Sequence, residues 1–113
     1  MEPAYRYRAH VTDVHDGDTF TADVDLGFGV HVYDAKIRVK GLFSPELWNP
    51  GGKEARKAAE DMIFGAQVVI ETEKTKTQSD VRSFIRYVAT VTLANGTNFA
   101  EAMIAAGHGT DRP

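Results

Sequence analysis

The sequence predicts a mainly β fold with α, a five-stranded barrel, closed or nearly so, with a helix plugging one end. Three observations carry that expectation. The segments run as three strands, a helix, two strands and a helix. That order does not alternate and so disfavours a parallel α/β sheet, while it suits a small barrel. Phe20, Ala22, Val24 and Leu26 alternate with Thr21, Asp23 and Asp25, a period of two that marks a half-buried strand. The chain has 113 residues, 42% of them hydrophobic and 26% charged, which suits one domain over residues 1–113 with one modest core.

Each element has a local reason. Tyr5 to Val11 reads as the first strand, with Tyr5, Tyr7, Ala9 and Val11 on one face. Thr12 to Asp18 reads as an acidic turn. The alternating strand follows. Leu26-Gly27-Phe28-Gly29 connects it to a return strand from Val30 to Val39, with a bulge expected near Asp34-Ala35. Gly41 to Gly52 is irregular. A helix is expected from about Lys53 to Phe64, with Ala55, Ala58, Ala59, Met62 and Ile63 as its apolar stripe and Gly65 as its stop. Gln67 to Glu71 reads as a short strand, Glu71 to Val81 as a polar mobile loop, and Phe84 to Leu93 as the last strand. Asn98 caps a second helix with Glu101 three residues on, Gly107 closes it, and His108 to Pro113 is a tail.

Composition removes several classes of chemistry. With no cysteine there is no disulfide scaffold, thiolate zinc site, iron–sulfur cluster or thiol nucleophile. No apolar run approaches the roughly 20 residues of a membrane span. The opening residues lack the apolar stretch of a signal peptide, which makes an intracellular location the default expectation and a membrane partner an unexpected one. The net charge of −3 gives no global attraction to nucleic acid, so any such activity rests on a local site. The four histidines show no metal-ligand spacing, Trp48 reads as a loop anchor, and Ser44 and the threonines lack a His or Lys pattern for covalent catalysis.

Three polar clusters remain. Asp13, Asp16 and Asp18 sit around a glycine turn. Crowded carboxylates suit a hard cation such as Ca²⁺ or Mg²⁺, and equally suit a solvated turn. Arg38 and Glu46 flank Lys40 to Pro45, where a guanidinium binds phosphate and a carboxylate activates water, or where the two form a surface ion pair. Arg82, Phe84 and Arg86 share one face of a strand. Such a row fits a phosphate with a stacked base, or an ordinary strand with one buried ring.

Taken in order, these stretches resemble the staphylococcal nuclease-like (thermonuclease) family over about residues 8 to 108. The matching pieces are Val14-His15-Asp16-Gly17-Asp18-Thr19, Ile37 to Leu42 leading to Ser44-Pro45-Glu46, and Gly52-Lys53-Glu54-Ala55. They continue with Gly65, Arg86 ten residues before Gly96, and Asn98 to Met103 with Gly107. The resemblance implies an OB-fold barrel and a Ca²⁺-dependent phosphodiesterase acting on DNA and RNA. It implies that Asp18 binds the ion directly with the Ser44 carbonyl, that Asp16 lies behind it, and that Glu46 is the general base. Arg38 and Arg86 would hold the phosphate, while Phe84 and Arg82 are expected, from the strand face they share, to contact a single-stranded substrate. That division suits phosphoryl chemistry, which needs positioned cations and an oriented water.

One departure bears on the metal. Where the family carries a second metal-binding Asp, this chain has Phe43, whose ring cannot ligate a hard cation, so Ca²⁺ or another divalent ion is expected to bind more weakly. Phe84 stands for a Tyr, Ile85 for a Gly, and the family's third helix is expected to be lacking. Three readings follow: a nuclease with a weakened metal site, a lapsed nuclease-like domain that binds single-stranded nucleic acid or a protein, and a structural OB domain.

Overall fold

A computed structural model describes residues 5–79 and 85–112. Five strands close into a barrel in the order β1-β2-β3-β5-β4: β1 Tyr5–Asp16, β2 Thr19–Gly27, β3 Val30–Val39, β4 Gln67–Ser79 and β5 Ile85–Thr92. Helix α1, Gly52–Ile63, separates β3 from β4, and α2, Phe99–Ala105, follows β5. Neighbouring strands pair antiparallel except β3 with β5, which run parallel. The expected barrel with two helices is the observed one.

The inward faces supply the core. Val11, Val14, Phe20, Ile37, Ile70 and Val91 fill the barrel, and Ile63 of α1, Leu42, Phe99 and Met103 complete the buried cluster. Ala55, Ala59 and Ile63 are the buried stripe of α1, with Ala58 and Met62 at its margin, as the helical spacing predicts. Asn98 caps α2 by accepting a hydrogen bond from the Glu101 amide at 3.0 Å. Gly107, at a φ of 85°, ends that helix.

Three expectations need correction. The first strand does not stop at Val11. It runs to Asp16, because register shifts between Val11 and Asp13 and between Val14 and Asp16 keep it paired with β2 while re-aiming its carboxylates. The expected loop from Glu71 is instead the outer part of β4, paired with β5 as far as Ser79 opposite Ile85. Polar residues at nearly every position give the sequence no hydrophobic period there, yet backbone pairing needs none. The tail from His108 is not loose: Thr110 and Phe43 exchange backbone hydrogen bonds of 2.8 and 3.0 Å. The bulge expected near Asp34 is present, with Asp34 at a φ of 57° and the β2–β3 register shifting beside it.

Candidate active site on the barrel wall

Alternation along β3 buries Ala35, Ile37 and Val39 and turns Lys36 and Arg38 outward. The β1–β2 turn meets the end of β3 here, since Thr19 pairs with Arg38 and the Val39 amide donates to the Asp18 carbonyl at 2.9 Å. Gly17 makes the close approach possible. A Cβ on it would lie 2.7 Å from Ser44 Oγ and 3.1 Å from the Ala55 Cβ, so the turn packs directly on the loop after β3 and on α1.

Asp18 is the hub. Its Oδ2 accepts the Ser44 amide at 3.1 Å and lies 3.4 Å from Arg38 Nη2, while its Oδ1 accepts the Thr19 hydroxyl at 3.1 Å. The two charged side chains are only 13% and 17% exposed. Arg38 Nη1 donates to the carbonyls of Val39 and Leu42 at 2.8 and 2.7 Å, which fixes the guanidinium and leaves its other edge toward Asp18. The Phe43 ring lies 5.1 Å from Arg38 Cζ, within cation–π reach.

Glu46 is exposed, and among the described residues its carboxylate makes no hydrogen bond or ion pair. Its backbone is nonetheless fixed. The Glu46 carbonyl accepts the Asn49 amide at 2.9 Å, and Asp16 Oδ1 accepts the Leu47 amide at 3.1 Å. Gly52, the first residue of α1, lets the helix press against this segment. Asp16 therefore ties the β1–β2 turn to the segment that follows Glu46. Asp13 Oδ1 turns to its neighbour, the Val14 amide. Arg86 projects from β5 opposite Lys36 in the parallel pair, on the same outer wall as Arg38. The remaining expected residues, Arg82 and Phe84, lie outside the described residues.

The donor set around Asp18 suits a divalent cation only in part. It is hard in kind, with the Asp18 carboxylate held by the Ser44 amide, and with a buried Ser44 Oγ on the same residue that has no hydrogen-bond partner among the described residues. It is short in charge, because Arg38 already neutralises Asp18 and no group of three acidic or histidine side chains converges among the described residues. Such a set fits an exchangeable, weakly held ion.

Sequence reasoning missed one grouping. Lys36 Nζ and His15 Nε2 both lie 3.0 Å from Thr21 Oγ1 on the same wall. The alternation that exposes Arg38 also exposes Lys36, but the approach of His15 depends on the β1 bulges and leaves no mark in residue spacing.

The staphylococcal nuclease homologue family model matches residues 36–111, from the outward lysine of β3 through Arg38, Ser44, Glu46, Arg86 and α2 to the paired tail. No curated protein matches the chain. The match spans more than half of the sequence and agrees with the closed five-stranded barrel, so this chain belongs to the staphylococcal nuclease homologue family, with the OB-fold of its members.

Proposed function

We propose that this domain hydrolyses phosphodiester bonds in single-stranded DNA or RNA, assisted by a weakly held divalent cation. One observation carries the reading: two arginines, Arg38 and Arg86, stand on the wall whose end holds Asp18, and the carboxylate of Glu46, without a partner among the described residues, lies on the adjoining loop.

The residues divide the work as follows. Arg38, anchored through Nη1, offers its remaining donors to a phosphoryl oxygen, and Arg86 adds a second cation from β5. Both stabilise charge that grows on the phosphate as the water attacks. Glu46 takes the proton from that water as its oxygen bonds to phosphorus; the P–O bond to the departing sugar oxygen breaks, and that oxygen takes a proton from solvent. Asp16 positions Glu46 through the Leu47 amide. Asp18 and the Ser44 carbonyl would hold Ca²⁺ or another divalent ion, which supplies positive charge beside the phosphoryl oxygen when bound. Arg82 and Phe84 are proposed as further substrate contacts on their alternation with Arg86 in the sequence alone.

A second reading is favoured by Phe43. Its ring against Arg38, with Asp18 neutralised, gives a network satisfied without metal, as in a domain that binds nucleic acid and no longer cuts it. Cleavage of labelled single-stranded DNA and RNA by wild type and Glu46→Gln separates the two. Metal-dependent products lost in the variant support hydrolysis. Equal or absent products from both overturn it and leave binding.

A further inference from the structure

One step along the wall from Arg38, two side chains converge on the hydroxyl of a buried threonine. Lys36 Nζ donates to Thr21 Oγ1 at 3.0 Å, His15 Nε2 lies 3.0 Å from the same oxygen, and Thr21 is 4% exposed. Lysine has no acceptor, so it takes one lone pair of the hydroxyl, and the proton or second lone pair serves His15. The carboxylate nearest His15 is Asp13, at 3.9 Å, and no described residue forms an ion pair with Lys36. A long flexible lysine is thus held on a neutral hydroxyl, in a chain with more acidic than basic residues. Holding it there contributes little to stability and leaves its charge uncompensated.

The direction of this group follows from the sheet. Lys36 and Arg38 share the outer face of β3, two residues and so about 7 Å apart along the strand. The parallel register sets Arg86 opposite Lys36. Arg38, Arg86, Lys36 and His15 therefore line one wall, running away from Asp18, and their spacing along β3 is close to one nucleotide step of an extended single strand.

We propose that Lys36 and His15, both held on Thr21 Oγ1, form a second phosphate subsite, which holds the phosphodiester next to the one taken by Arg38. The ligand is a single strand with at least two internucleotide linkages. The inference rests on the nucleic-acid reading above and extends it to a residue group outside the catalytic set.

The test is displacement of fluorescein-labelled octathymidylate by unlabelled thymidine di- and trinucleotides, with chelator present to silence cleavage. Wild type is expected to bind the trinucleotide, with two linkages, about tenfold more tightly than the dinucleotide. Lys36→Gln should erase that difference by weakening the trinucleotide alone, and Lys36→Arg should restore it. The slope of log affinity against log salt for the octamer should fall by about 0.7 in Lys36→Gln, one phosphate contact on a single strand. Equal effects of Lys36→Gln on both short ligands, or none on either, overturn the subsite while leaving the nucleic-acid reading intact. Failure of wild type to bind the octamer overturns that reading, and the subsite with it.

Discussion

Gly52→Ala tests how the Glu46 loop is held. A Cβ at position 52 would lie 1.9 Å from the Glu46 carbonyl oxygen, 2.6 Å from its carbon and 2.9 Å from Leu47 Cα. Ordinary contact begins at 3.4 Å, so the oxygen must retreat by about 1.5 Å, and backbone is what must move. Alanine gains at most about 1 kcal/mol over glycine within a helix. Overpacking costs about 1–3 kcal/mol, and the displaced loop strains the Leu47 amide–Asp16 bond, a charged hydrogen bond contributing about 1.5–3 kcal/mol. The clash wins. A net loss near 2 kcal/mol should lower Tm by roughly 8 °C for a domain this size. Moving Glu46 by an ångström or more should cut kcat about 100-fold, with KM little changed because Arg38 and Arg86 stay in place. Thermal unfolding and steady-state cleavage measure the two effects. Wild-type Tm together with wild-type kcat would refute the idea that α1 holds the Glu46 segment.

Two further substitutions probe the hub. Phe43→Asp removes the ring from Arg38 and adds a carboxylate beside Asp18, so Ca²⁺ affinity by isothermal titration should rise at least about tenfold, with faster cleavage. An unchanged affinity would mean that Phe43 does not limit the metal site. Arg38→Ala strips the Val39 and Leu42 carbonyls and the Asp18 carboxylate of a shared donor, so denaturant unfolding should show a loss of about 3 kcal/mol, with cleavage abolished. Arg38→Lys should regain charge but not the two-carbonyl anchor, and recover only part of either.

What the sequence reveals is local. The bulge near Asp34, the alanine stripe of α1 and the Asn98 cap are all written in neighbouring residues, and the structure keeps them; the period of two in β2 finds the strand, but Thr21 is buried as well and Leu26 is exposed. The pairing of Arg38 with Asp18 follows from a strand ending beside an acidic turn. Long-range register is less visible. The outer arm of β4 pairs through backbone with polar residues, so no hydrophobic pattern announces it. The Phe43–Thr110 bridge joins segments with no shared period. Gly52 reads from sequence as a residue opening a helix, and its contact with Glu46 emerges only when loop and helix are packed. His15, isolated along the chain, meets Lys36 at Thr21 because two bulges in β1 turn it there.

The most direct test of the central claim is to map where a single strand sits, by titrating ¹⁵N-labelled protein with octathymidylate in chelator and following amide shifts. The account expects the largest shifts at Asp18, Thr21, Lys36, Arg38, Ser44, Leu47 and Arg86, along one wall of the barrel. Shifts confined to the opposite barrel mouth, around Tyr7, Leu26 and Val32, or no shifts at saturating oligonucleotide, would contradict it.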